Sequence, residues 1–171
     1  RVELGKKVRI DSTVTETNIH APTDSSLLWD GVRVMVRLLE AAQSMSGTAE
    51  IEFCNHRRRA KKRARAIIYT RGKNKKAALY RDLIKVTMNT LVYLEKAKMI
   101  LSVTGGTTLQ LEAWHAEVGH YLPLIKRVID QTQRRVFQGE SVPADEKVFS
   151  LFETHTDIII KGNRDIQYGH K

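Results

Sequence analysis

Residues 6–24 read KKVRIDSTVTETNIHAPTD. Lys7, Arg9, Asp11 and Thr13 alternate with Val8, Ile10, Ser12 and Val14. Period-two alternation of this kind predicts a half-buried strand over residues 6–14. The apolar set faces a core, and the other set presents Asp11 close to where the strand gives way to polar residues. A carboxylate so placed is exposed enough to bind a hard cation and rigid enough to hold it. Mg²⁺ takes oxygen ligands and uses only one or two protein carboxylates in most sites. The alternative is a surface strand with an ordinary solvated Asp. Residues 15–23 read as irregular, with Pro22 favouring extended backbone just before it. Asp24 or Ser25 is placed to cap a helix by accepting a backbone N–H bond.

Beyond that cap the hydrophobic period changes from two to 3.6. Leu28, Met35, Leu38, Leu39 and Ala42 fall on one helical face, and residues 44–47 end that helix. A second helix is predicted over residues 48–69, with Ile51, Phe53, Ala60, Ala64, Ile67 and Ile68 as its apolar stripe. A third, over residues 76–101, carries Leu79, Leu83, Val86, Thr90, Tyr93, Ala97 and Ile100 at alternating spacings of four and three. That is a heptad seam, widened by Leu94 and Leu101. After Gly105-Gly106 a fourth begins near Thr107, with Leu111, Trp114, Val118, Tyr121, Leu122, Ile125, Val128 and Ile129, and with Pro123 expected to kink it. Trp114, Tyr121 and Met99 read as core packing rather than a ligand box. Residues 139–143 end the helical part, 148–152 form a short apolar stretch, and 156–161 read as a strand. Gly162-Asn163 supplies turn chemistry ahead of a partner strand from Ile166, so a hairpin is predicted.

The second helix is densely cationic. Arg57, Arg58, Arg59, Lys61, Lys62, Arg63 and Arg65 are followed by Arg71, Lys73, Lys75 and Lys76, and no acid lies between Asn55 and Tyr80. A solvated helix face ordinarily mixes both signs so that i,i+4 pairs form. Here the local sequence offers none, which points to an external anion; a purely solubilising surface is the alternative. Aromatic interleaving is sparse, so the segment suggests phosphate contact rather than base stacking.

Composition agrees with a polyanionic partner. Lys plus Arg number 29 against 19 Asp plus Glu, a formal charge of +10 over 171 residues. That favours nucleic acid first and an anionic membrane surface second. The apolar share, 42%, is that of a folded globular chain. No apolar run is long enough to span a membrane, and residues 1–7, RVELGKK, lack the apolar segment of a signal peptide. The single cysteine, Cys54, excludes an internal disulfide and fits a reducing, cytoplasmic setting; it reads as a small buried or half-buried residue. There is no P-loop, GxGxxG or GxSxG. Ser12 and His20 sit too close along one extended segment to form a hydrolase dyad.

Two blocks at the ends of the chain carry a resemblance. The first is Asp11-Ser12-Thr13, Glu16, Asn18-Ile19-His20-Ala21-Pro22-Thr23-Asp24 and Ser25-Ser26-Leu27-Leu28-Trp29-Asp30. The second is Phe149-Ser150-Leu151-Phe152-Glu153-Thr154-His155-Thr156-Asp157, Ile160-Lys161-Gly162-Asn163-Arg164-Asp165 and Ile166-Gln167-Tyr168-Gly169-His170-Lys171. Together they resemble the catalytic domain of bacterial insertion-sequence transposases of the DDE type, while the helical middle matches less specifically. The resemblance implies an α+β, mainly helical chain. About four long helices (25–138) would be inserted between the first strand and loop of an RNase H-like core (1–24) and a C-terminal hairpin returning to that sheet (139–171). It implies metal-dependent DNA cleavage and strand transfer, with Mg²⁺ or Mn²⁺ as cofactor and with transposon ends and target DNA as partners. It also implies a homo-oligomer in the intact enzyme. Asp11 matches the first of three catalytic acids, and the other two are expected beyond Lys171, so the chain reads as a fragment inactive by itself. Glu16 is a lesser metal candidate. Arg57, Arg58, Arg59, Lys61, Lys62, Arg63, Arg65, Lys73, Lys75 and Lys76 would grip DNA phosphates. If the hairpin pairs with the first strand, Lys161, His170 and Lys171 lie beside the site; a solvated strand edge is the alternative for these three. The rival expectation is a non-catalytic basic helical module for DNA binding or protein assembly.

Overall fold

A computed structural model describes residues 15–16, 22–46, 51–104, 108–154, 156–159 and 167–170. These residues are mainly helical. In chain order they form β1 (Thr15–Glu16), α1 (Asp24–Met45), α2 (Arg57–Tyr69), α3 (Lys73–Thr104), α4 (Leu109–Gln133), a π-helical turn (Arg134–Gln138), β2 (Asp157–Ile159) and β3 (Gln167–His170). The strand expected over residues 6–14, and Asp11 with it, lies outside the described residues.

Helix α1 is the hub, packing against α2, α3 and α4. Leu28, Met35, Leu38, Leu39 and Ala42 are all buried, as their spacing predicts, and Val32 and Val36 widen the stripe. Its N-cap is Thr23 rather than Asp24 or Ser25. Thr23 Oγ1 accepts from the Ser26 amide at 3.1 Å, and Ser26 Oγ accepts from the Thr23 amide at 3.1 Å. This reciprocal pairing satisfies two otherwise orphaned donors. Asp24 is drawn elsewhere: both its carboxylate oxygens accept from Arg135 Nη1 at 3.0 Å.

Helix α2 starts at Arg57, not at residue 48. In residues 51–56 buried Ile51 and half-buried Phe53 alternate with exposed Glu52 and Cys54, an extended rather than a helical period. Gln43 Nε2 donates to the Ile51 carbonyl at 2.7 Å, which holds this segment against α1. Asn55 Oδ1 accepts from the Arg57 amide at 3.1 Å and turns the chain into the helix. Cys54 is exposed, contrary to the expectation of burial. The inward face of α2 is Ala60, Ala64 and Ile67; Ile68 stands out at 60% exposure, since three residues suffice to seat so short a helix.

Gly72, at φ 95°, makes the turn into α3, a backbone conformation that residues with a side chain rarely adopt. The α3 seam is largely as its spacing predicts. Leu83, Val86, Thr90, Leu94, Ala97 and Leu101 are buried, while Leu79, Tyr93 and Ile100 are half-buried. The two buried threonines donate back along the helix, Thr87 to the Leu83 carbonyl at 2.9 Å and Thr90 to the Val86 carbonyl at 2.8 Å. Neither hydroxyl is thereby left unsatisfied in the core.

Helix α4 buries Leu111, Trp114, Val118, Ile125 and Val128, and the Trp114 indole donates to the Leu38 carbonyl at 2.9 Å. It continues through Pro123, which is exposed. It gives way to the π-helical turn and stops at Gly139, φ 70°, whose amide bonds the Arg134 carbonyl. Gln131 ties this end to the next segment: its Oε1 accepts from the Val148 amide at 2.9 Å, and its Nε2 donates to Asp24 at 3.3 Å. Val148 and Leu151 then close the core.

The strands form an antiparallel sheet in the order β1-β3-β2. β2 and β3 are the expected hairpin pair, with Ile158 opposite Tyr168. β1 falls within the residues that read as irregular from their polarity; its partner is β3, with Thr15 opposite His170 and Glu16 opposite Gly169. Backbone pairing across so distant a part of the chain leaves no local pattern.

Candidate nucleic-acid interface

On α2 the apolar Ala60, Ala64 and Ile67 occupy one side. At about 100° per residue, Arg57 falls on one flank of that stripe and Arg59 and Arg63 on the other. Arg58, Lys61, Lys62 and Arg65 group on the opposite side, toward solvent. This division decides their partners. Arg57 pairs with both carboxylate oxygens of Glu40 on α1, at 2.8 and 2.9 Å. Arg59 and Arg63 both donate to Asp82 on α3. The expectation that an external anion compensates this run is thereby narrowed: for these three the acids come from neighbouring helices, not from neighbouring sequence. Burial alone would raise the Asp82 carboxyl, but the Arg59 and Arg63 hydrogen bonds outweigh it and hold the group below its ordinary range. Arg57, Arg59 and Arg63 thus fasten α2 to the bundle.

Arg58, Lys61, Lys62 and Arg65 are exposed, and none makes an ion pair with a described residue. Around the turn at Gly72, Arg71, Lys73 and Lys75 are exposed as well, whereas Lys76 is half-buried. The result is a cationic row one helix long, continued across a turn. Like charges at i,i+4 destabilise a helix by a few tenths of a kcal/mol per pair, so an anion spread along this row would relieve them.

His56, at the start of α2, borders the row on the core side. Its Nδ1 lies 2.9 Å from Thr90 Oγ1. The Thr90 hydroxyl proton is already directed to the Val86 carbonyl, so His56 Nδ1–H is the donor. Burial and then the nearby Arg59 charge lower the imidazole pKa. A depressed folded-state pKa contributes stability that is present above the unfolded value of about 6.5 and is lost as pH falls through the folded value. We therefore expect the urea midpoint of the wild type to drop between pH 7.5 and pH 5, and His56→Gln to flatten that drop. Equal slopes in the two proteins would place the loss elsewhere.

The remaining sequence candidates are more scattered. Asp11, Lys161 and Lys171 lie outside the described residues. Glu16 is in β1 opposite Gly169, and His170 in β3 opposite Thr15, so the backbone brings these two positions near each other on adjacent strands. Among the described residues no group of three or more His, Cys, Asp or Glu comes together to hold a metal ion, and no helix is long and apolar enough to cross a membrane. Sequence reasoning missed Tyr69, which is 82% exposed at the end of the cationic row. Its offsets from Arg58, Lys62 and Arg65 were the available signal. No known protein family, curated protein or solved structure matches the chain.

Proposed function

We propose that this chain is the DNA-gripping part of a bacterial insertion-sequence transposase of the DDE type, in which an RNase H-like sheet carries an inserted helical bundle. The observation that carries the reading is the row of Arg58, Lys61, Lys62 and Arg65, which the fold holds outward with no acid among the described residues to answer it. Pairing of β1 with β3 supports the reading, because Glu16 and residues 167–170 belong to the two blocks that bear the resemblance. The cations would hold transposon-end or target phosphates without reading bases. Asp11 would lend one carboxylate to a divalent metal, Mg²⁺ or Mn²⁺, whose Lewis acidity activates the attacking hydroxyl in an in-line displacement. Two further acids complete such a site in that family. Work on DNA with a single cysteine fits the cytoplasm, and joining two transposon ends implies a homo-oligomer.

A second reading, a non-catalytic DNA-binding or assembly module, is favoured by the bundle's main core cluster, whose described residues come from the helices and the loops beside them. Asp11→Ala separates the two. Assayed on DNA with divalent metal, the substitution should abolish metal-dependent strand cleavage and leave duplex binding intact. Cleavage that survives would remove the catalytic role and leave the binding module.

A further inference from the structure

We infer that Tyr69 is a stacking platform for an unpaired base, so that the preferred ligand of the α2 row is DNA with a single-stranded or frayed segment rather than a fully paired duplex. The inference rests on the DNA reading above and narrows its substrate.

Tyr69 is the last residue of α2 and is 82% exposed, with Ile68 beside it at 60%. An aromatic side chain covers a large apolar area, and leaving it in water forgoes that burial. Arg58, Lys62, Arg65 and Tyr69 are spaced i, i+4, i+7 and i+11, so they share one helical stripe and the ring closes the line of cations. On its other side the turn at Gly72 brings Arg71, Lys73 and Lys75, all exposed. Tyr69 is thus flanked by cations in both directions along the chain. This arrangement suits a strand whose phosphates run past the cations while one of its bases lies on the ring.

The geometry selects for an unpaired base. In a continuous duplex each base face is already covered by its neighbours, and a ring standing on a helix surface meets only the backbone. A base that has left the stack offers a free π-face, which any of the four can present, so the contact is tolerant of sequence. Extruding a base is least costly where it is already single-stranded or mismatched. Cations without the ring would treat paired and unpaired strands alike, apart from charge density.

The test compares a blunt duplex with the same duplex carrying a short 3′ single-stranded tail that contains one 2-aminopurine. Binding is read by anisotropy at fixed salt and stacking by 2-aminopurine quenching. Tyr69→Ala should weaken the tailed DNA roughly 5- to 150-fold, change the blunt duplex less than about twofold, and abolish the quenching. Tyr69→Phe should retain both affinity and quenching, because the ring face and not the hydroxyl makes the contact. Equal losses on the two DNAs, no loss on either, or a Phe variant that behaves like Ala would each overturn the stacking role. Those three results leave the cationic row standing; failure of the wild type to bind either DNA would overturn the row and the stacking role together.

Discussion

Changing Arg58, Lys62 and Arg65 together to Gln should flatten the salt dependence of DNA binding by up to about three units of log affinity against log salt, one per lost phosphate contact. If Arg58, Lys61, Lys62, Arg65, Arg71, Lys73 and Lys75 all reach phosphate, wild-type affinity for duplex DNA should fall on the order of 10³- to 10⁴-fold between 50 and 200 mM salt. The triple variant should lose only on the order of 10²-fold over the same range. The loss should be about equal for unrelated duplex sequences, since these side chains address phosphate and not base edges. The companion variant, with Arg57, Arg59 and Arg63 changed to Gln, supplies the contrast. Those three are engaged with Glu40 and Asp82, so their removal should lower thermal stability and leave the salt slope nearly unchanged. If the two triple variants give the same slope as each other, the division of the run into outward and inward cations has no bearing on binding.

The second large effect belongs to the core. Trp114→Ala should cost about 3–5 kcal/mol, which for a chain of this size lowers the melting temperature by roughly 6–20 °C. Trp114 is only 4% exposed and joins α4 to α1 through the indole bond to the Leu38 carbonyl. Truncation therefore opens a cavity and removes that tie. Trp114→Phe keeps most of the apolar volume and should lose less, the hydrogen bond itself being worth about 1 kcal/mol. A melt followed by helical circular dichroism in which Trp114→Ala matches the wild type would mean that α4 is not seated on α1 as described.

The helical bundle is largely legible in the sequence because its signal is local. Leu28, Met35 and Leu39, and Leu83, Val86 and Leu94, repeat at helical spacing and are buried at that spacing. The features that escape have non-local causes. Asp24 makes a good cap by type, yet the chain 111 positions on supplies Arg135 and takes its carboxylate. The cations of α2 look unanswered in sequence because their counterions, Glu40 and Asp82, lie on other helices. Residues 51–56 read as helix in the sequence because Ile51 and Phe53 can extend the apolar stripe of α2, whereas a two-residue period over so short a run competes poorly with the helix behind it. Of the candidate site, the outward row is legible as a composition and not as a face. The exposure of Tyr69 depends on where α2 is seated, which no single stretch encodes.

The clasp between Asp24 and Arg135 bears on the order in which the chain assembles. β1 and β3 are separated by more than 150 positions, and closing a flexible loop of that length is slow because entropy is lost before any contact forms. Once the bundle is folded, Arg135 Nη1 lies 3.0 Å from Asp24, and the detour shrinks to the segments from β1 to Asp24 and from Arg135 to β3. Shortening the effective loop roughly fourfold saves about 1 kcal/mol of closure entropy. We therefore expect the helices to form before the strands meet, so a variant that opens the clasp should refold its helices at the normal rate and its sheet late.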